Sequence, residues 1–494
     1  MTQSFKLLKE LVYSLTKKEI VLLKKKLSYG FDEEDNRKNK SKKLLDLILN
    51  NPQIAEVKTI DELYGDMNRV AFAKLMERSI DKIDEVFISF QREVSPRYSE
   101  RNYYFFSMKR KLLIIQMRWL RGVTFDLSVQ FDKIISSSKK YELYDTLIEA
   151  LLAKQRFMGF RYGSKAFNKI EKEVLKFEES WKASIRARSL FTKITSKINQ
   201  SDTSLKYRDE LKDIIIVLEK DFSLTNSAIV GYYLFYLQTE LLQIHLKYSE
   251  ANKVLIKLEE LLMNNPSIYT KARNGDVLMN LAGNAILLRN FPNAIQKAIE
   301  AKTFFEKKSD NLDVAKEVEF YARFFNGEFA IAEKLVAEIY ESARKGNSPF
   351  MHGKRAYLYA CVKTLKGEIN RSNELLKEVK EIEKNKGGWN IAKRVLAIIN
   401  CIEDNDFESA DLKVLSLEKF IKRNSRKHHV RKRDLLILRI LLKLINERFD
   451  FKKVYKGRKR YFELLKSDDP DYGWKIKSPE LIVFHEWFEK KMAG

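Results

Sequence analysis

Two cysteines, seven prolines and 17 glycines are spread over 494 residues. Each shortage excludes something. Cys361 and Cys401 are too few to frame a disulfide-held secreted domain, so a reducing, cytoplasmic setting is the simpler expectation. Sheet proteins need turn residues every ~8–12 positions. Here no proline occurs between Pro96 and Pro266, while Lys, Leu, Glu and Ile dominate, which is a helical bias with few breaks. Long apolar runs are missing too. The longest, Leu435 to Ile445, is interrupted by Arg439 and Lys443, and is too short and too charged to span a bilayer. The first residues, Met1 to Lys6, lead straight into an amphipathic pattern without an apolar stretch or small-residue cleavage site, so no signal peptide is expected.

Catalytic and cofactor motifs are also lacking. Gly159 and Gly163 precede Ser164-Lys165, but the spacing of a phosphate-binding loop fails. Neither a dinucleotide fingerprint nor a nucleophile elbow occurs. The five histidines, His245, His352, His428, His429 and His485, do not pair at metal-ligand spacing, and His485-Glu486 lacks the second histidine of a zinc-protease helix. Asp468, Asp469 and Asp471 lack the rest of a calcium loop. The expectation is a non-enzyme without metal or cofactor, with both cysteines packed as small apolar residues.

What is present is apolar material, at 45%, enough for a folded chain, together with 33% charged residues and a net charge of +25. The first 95 residues predict a small helical domain. One helix covers Phe5 to Tyr13. A second starts at Thr16, with Glu19 three positions on as a capping box, and ends at Tyr29-Gly30. Asp32 to Lys43 reads as a charged loop. Further helices follow over Lys42 to Leu49, Ile60 to Tyr64 and Asn68 to Phe90. The helices from Thr16 and from Asn68 are too far apart for a helix-turn-helix, whose turn holds three or four residues. Residues 96–225 predict a row of long helices, with diverged repeats around Tyr141 to Phe177.

A period appears in residues 226–494. Tyr248-Ser249-Glu250-Ala251 is followed by Phe291-Pro292-Asn293-Ala294, Phe329-Ala330-Ile331-Ala332, Ile369-Asn370-Arg371-Ser372 and Phe407-Glu408-Ser409-Ala410. The large residues fall 43, 38, 40 and 38 positions apart, and a degenerate sixth copy lies near Phe449 to Val454. Each phrase follows a helix and a tight turn, such as Asn326-Gly327 or Lys366-Gly367, and opens a second helix. The small residue lets a neighbouring backbone approach, and the large one is expected to wedge between the paired helices. A single pair cannot bury its own apolar face, so pairs must stack.

This pattern resembles the tetratricopeptide repeat, whose second helix carries a similar aromatic-x-x-Ala phrase, and covers Ser227 to Lys466. The spacing here exceeds that family's ~34 residues, and its first-helix Trp and Leu-Gly phrase is missing. The resemblance implies an all-α solenoid of antiparallel helix pairs whose concave groove holds a protein or peptide. First-helix side chains line that groove in the family, which points to Asn284, Tyr321, Tyr357, Tyr359 and Lys363.

The charge is concentrated. Lys413 to Ile476 holds twenty Lys and Arg against eight Asp and Glu. Lys422, Arg423, Arg426, Lys427, Arg431, Lys432 and Arg433 form one run, with His428 and His429 inside it. Lys452, Lys453, Lys456, Arg458, Lys459 and Arg460, beside Tyr455 and Tyr461, form a second. Such cations release counterions on meeting phosphates, and aromatics stack on bases, so an RNA or DNA contact is the alternative to a merely solvated face. Arg37, Lys38, Lys40, Lys42 and Lys43 make a weaker cluster of the same kind.

Overall fold

The computed structural model describes residues 2–28, 39–65, 68–89, 99–199, 207–307, 309–346, 348–382, 388–424, 430–469, 471–476 and 478–493. Its 24 described elements are all α-helices, and no strand occurs among the described residues. The chain divides into two units, Met1–Glu178 and Glu179–Gly494. The expected boundaries at 95 and 225 therefore each fall inside a unit.

Unit 1 opens with α1 (Gln3–Ser14), α2 (Lys17–Ser28), α3 (Lys40–Asn50), α4 (Glu56–Tyr64) and α5 (Arg69–Ile88). The expected capping box is present. The Thr16 backbone N–H donates to Glu19 Oε2 at 2.7 Å, and the Glu19 N–H donates to Thr16 Oγ1 at 3.3 Å. Apolar positions three and four apart bury Phe5, Leu8, Leu23, Ile48, Phe72 and Ile83 in one core. The expected stop at Tyr29-Gly30 and most of the predicted charged loop lie outside the described residues, and α3 starts at Lys40. The helices α6 (Glu100–Leu120), α7 (Leu127–Lys140) and α8 (Tyr144–Tyr162) follow, each packing on the next.

Unit 2 is an α-solenoid. After α9 (Ser164–Asn199), which begins before the unit boundary, and α10 (Arg208–Thr225), six helix pairs follow in order. They are α11 (Ala228–Ile244) with α12 (Tyr248–Asn264), α13 (Lys271–Leu287) with α14 (Phe291–Lys302), and α15 (Asp310–Phe325) with α16 (Phe329–Arg344). Next come α17 (Pro349–Leu365) with α18 (Ile369–Lys377), α19 (Gly388–Glu403) with α20 (Phe407–Asn424), and α21 (Lys432–Asn446) with the short α22 (Phe451–Gly457). Helices α23 (Lys459–Lys466) and α24 (Phe484–Ala493) end the chain.

The period has a backbone cause. In each of the first five pairs one turn residue adopts positive φ: Leu246 (59°), Arg289 (57°), Gly327 (82°), Gly367 (76°) and Asn405 (57°). The following N–H then reaches back to a first-helix carbonyl. Lys247 bonds Leu242, Asn290 bonds Ala285, Glu328 bonds Arg323 and Glu368 bonds Lys363, each at 2.9 Å, and Asp406 bonds Cys401 at 2.8 Å. This is the Schellman closure, which satisfies carbonyls that the helix end leaves unpaired. Five residues past each turn residue stand Ala251, Ala294, Ala332, Ser372 and Ala410, all fully buried where the paired backbones meet. The same closure occurs in unit 1, with Glu142 at φ 45° and Leu143 N–H donating to Ser138 O at 2.9 Å. That phases a diverged copy there, in which Leu147 takes the small position.

The large residues wedge inside their own pairs only in part: Ile369 is buried, and Phe329 meets Phe324 of its own pair at 5.5 Å. Phe329 and Phe407 stay 48% and 40% exposed. Phe291 lies over Phe325 of the next pair (6.2 Å between centroids), and Phe407 meets Phe449 of the next turn at 4.6 Å. Phe291 and Phe407 thus seal seams between successive repeats.

Candidate partner-binding site

All five expected groove residues sit on first helices, and none lines an open groove. Asn284 is fully buried on α13, where Nδ2 donates to Tyr248 O at 3.0 Å and Oδ1 accepts from Gln243 Nε2 at 3.3 Å. Lys363 on α17 is held between Glu333 and Glu368, both at 2.6 Å. Burial opposes its charge, but these two carboxylates outweigh it and hold the ammonium above its ordinary range. Tyr359 is half-buried, with Lys363 Nζ 5.4 Å from its ring centre. Tyr321 packs beside Phe320 and Phe325. Tyr357 is buried, its hydroxyl donating to Pro479 O at 2.9 Å, and burial pushes its phenol well up. Asn284 and Lys363 tie neighbouring helices together, and the three tyrosines belong to the packing.

The covering is the chain's own C-terminal segment. From Ser467 to Val483 no α-helix is described, and this strap crosses the first helices in succession. Ile476 packs with Ala285, Ile286, Ala294 and Ala322 of α13–α15. The Trp474 ring meets Phe325 of α15 at 5.7 Å, and its indole N–H donates to Glu480 O at 3.0 Å. Pro479 receives Tyr357 of α17, and Glu480 pairs with Arg433 of α21. In α24, Trp487 Nε1 donates to Glu403 of α19 at 2.6 Å, while Phe488 packs on Phe451 and Phe462.

Beside the strap an aromatic cleft of about 700 Å³ remains. Phe291, Phe325, Phe329 and Leu365 line one wall, and Trp474 and Trp487 the other. Arg289, Lys466 and Lys490 share its rim with Asp468, Glu486 and Glu489. An apolar floor with mixed charge around it is the composition of a protein-binding hot spot. Sequence reasoning missed this cleft, because half of it comes from the aperiodic strap. It also missed an exposed apolar set in unit 1, with Leu113, Met117 and Leu120 on α6 and Phe125 beyond it, since spacing by three and four reads as core.

The basic segment is not one surface. Arg433 turns inward at 2% exposure, with Nε and Nη2 on Glu480 (2.7 and 2.8 Å) and Nη1 on the carbonyls of Leu465 and Tyr472 (both 2.8 Å). It is a structural ion pair and not a phosphate contact. Arg431 bonds both oxygens of Asp434, at 2.6 and 2.8 Å, and Lys432 pairs with Asp471 at 2.6 Å. Lys422 pairs with Glu418, Lys453 pairs with Glu447, and Arg423 is exposed. Arg458 lies over Tyr461. Lys452, Lys456, Lys459 and Arg460 are exposed and take no carboxylate partner among the described residues. Arg426, Lys427, His428 and His429 lie outside the described residues, as do Arg37 and Lys38 of the N-terminal cluster. Lys40 Nζ sits over Tyr64 at 3.6 Å, and Lys43 Nζ donates to Glu62 O.

No group of His, Cys, Asp and Glu among the described residues could hold a metal ion, and no described helix is long and apolar enough to cross a membrane. In the acidic turn, Asp469 Oδ1 accepts the N–H groups of Asp471 and Tyr472, as a turn-forming aspartate does. Burial raises the Cys361 thiol to about 12.

His485 is buried beside Arg433, whose Nη2 donates to its Nδ1 at 3.3 Å. Burial first, and then the guanidinium charge, lower its pKa from 6.5 to about 4. The unfolded chain therefore takes up a proton on His485 before the folded chain does. Its contribution to stability should be complete above pH 6.5, fall as pH drops from 6.5 towards 4, and change no further below that. Buried Asp434, whose carboxyl burial raises, has the opposite sign. Urea midpoints of wild type and His485→Asn across this window separate the two, with the variant showing the shallower acid-side loss.

No family model matches the chain, and no curated protein matches it.

Proposed function

We propose that this protein is a non-enzymatic interaction scaffold of tetratricopeptide-like repeats, which grips an apolar segment of a protein partner. The aromatic cleft between the second-helix residues Phe291 and Phe329 and the strap residues Trp474 and Trp487 carries the reading. The repeat assignment is supported by the paired helices, the Schellman turns and the buried small residue after each turn. The cleft is open, concave and aromatic, so burying a partner's side chain there removes apolar surface from water.

Phe329 is about half exposed, so Phe329→Asp should leave fold stability within ~1 kcal/mol while placing a charge in the cleft. With the full chain as bait, the expected result is a partner retained in about 0.5 M salt and lost with Phe329→Asp. The nucleic-acid alternative rests on the exposed Lys452, Lys456, Lys459 and Arg460. It predicts the reverse: capture that collapses with salt, survives Phe329→Asp, and disappears with Lys456→Glu, Lys459→Glu and Arg460→Glu together. That second pattern would overturn the scaffold reading.

A further inference from the structure

The second helices of the solenoid differ in length. Helix α16 runs for 16 residues and α20 for 18, but α18 stops after nine, at Lys377. The next helix, α19, begins only at Gly388. Residues 378–382, which follow α18, are not helical. Asn390, Lys393, Arg394, Ala397 and Cys401 of α19, with Asp404 just after it, are spaced by three and four and share one face of the helix. The result is a cavity of about 360 Å³, with α19 as floor and α18 and α20 as walls. That is the size of a small-molecule site.

Its charge is one-sided. Lys377 and Lys380 border it from the α18 side, Lys393 and Arg394 from the floor, and Lys413 from α20, against Asp404 and Asp406 among the described lining residues and Glu381 close to the two floor cations. The two floor cations have no carboxylate hydrogen-bonded to them among the described residues. Lys393 Nζ donates to the carbonyls of Val379 and Lys380. The Arg394 guanidinium is stacked 4.2 Å from the Phe420 ring centre, which holds its plane and leaves its edge donors for another acceptor. Elsewhere in the same solenoid, inward cations are matched: Arg355 faces Asp313 and Glu317, Lys363 faces Glu333 and Glu368, and Arg433 faces Glu480. Burial, followed by the neighbouring Arg394 charge, lowers the Lys393 pKa, and the opposing charge of Glu381 does not offset them.

We propose that this cavity binds a small phosphorylated metabolite, with the phosphate group seated between Lys377, Lys393, Arg394 and Lys413. Five lining cations against Asp404, Asp406 and the nearby Glu381 leave a surplus of two charges, which a phosphomonoester matches and a monocarboxylate does not. Lys supplies point charges and Arg a planar fork for phosphate oxygens. Leu376 and Ala397 give the organic part an apolar wall.

Cys401 makes the test direct. It lines the cavity, with Lys413 Nζ 2.8 Å from its sulfur, whereas the other cysteine, Cys361, is fully buried. Alkylation of Cys401 in the full chain reports occupancy. Pyrophosphate and a nucleoside monophosphate should each slow alkylation in a saturable way at low salt, and acetate at equal ionic strength should not. Calorimetry should give the same affinities. Arg394→Gln should weaken binding by about tenfold or more, the usual weight of a charge-assisted hydrogen bond. Lys377→Gln with Lys380→Gln removes two exposed side chains, leaves folding intact by circular dichroism, and should weaken binding severalfold. Protection by inorganic pyrophosphate alone would mark a bare anion site and overturn the metabolite reading. Absence of protection by any phosphate at millimolar concentration, or equal affinity in wild type and both variants, would overturn the site itself.

Discussion

Arg433→Met should lower the unfolding free energy of the solenoid by roughly 3–5 kcal/mol, the largest effect expected of any basic residue in the C-terminal segment. The size follows from what would be left behind. Arg433 satisfies both oxygens of buried Glu480 and two backbone carbonyls, on Leu465 and Tyr472. Removing the guanidinium strands a carboxylate and two acceptors away from water, which costs more than the pair itself contributes. Arg433→Met combined with Glu480→Leu should therefore recover part of the loss, since no buried charge remains. Lys459→Ala, an exposed neighbour in the same stretch of sequence, should stay within about 0.5 kcal/mol. Urea denaturation followed by circular dichroism checks all three. Wild-type stability in Arg433→Met would show that the ion pair contributes nothing to the fold.

This contrast marks where sequence reading stopped. A run of cations is visible in one dimension, but its partners Asp434, Asp471 and Glu480 are assembled by a turn and a strap. Counting charge could not separate Arg433, an interior strut, from Lys459, an exposed one. The period was legible for a physical reason. The five closures in the first pairs of unit 2 join a positive-φ residue to a small residue five positions later, and these leave a trace in composition at Gly327, Gly367, Ala251, Ala294, Ala332 and Ala410. The copy at Glu142 falls in the stretch where diverged repeats were expected, but its phase was hidden because Leu147 stands in the small position. The five residues expected to line a groove sit on first helices, and the strap that packs against Tyr321 and Tyr357 was invisible, since Ser467 to Val483 has neither helical nor strand periodicity. The two cysteines looked equivalent, yet Cys361 lies six residues before its turn residue and Cys401 four. Both are buried in one core, and that offset also brings Cys401 to the edge of a cavity.

The strap yields the second large prediction. Trp474 is its main apolar anchor on α15, and its indole N–H also fixes the turn back to Glu480. Trp474→Ala loses the ring contact with Phe325 and the hydrogen bond together. Large-to-alanine changes of buried aromatics cost ~3–5 kcal/mol, and the half-buried position of this ring scales that to about 2 kcal/mol. The loss should fall on strap docking and not on the helices, because the stacked pairs keep their own core. Amide hydrogen exchange between 471 and 483 should therefore accelerate roughly thirtyfold, with exchange in α13, α15 and α17 nearly unchanged. Tyr321 and Tyr357, which the strap helps to cover, should become more accessible to solvent. Equal acceleration in strap and helices would make the strap an inseparable part of the core. No acceleration would place its anchorage in Arg433–Glu480 and the α24 aromatics alone. Local release would mean that the first-helix surface expected to bind a partner is built in full and covered by the chain's own end. A partner that reaches beyond the aromatic cleft would then have to displace the strap, and its affinity is lowered by the free energy of strap docking.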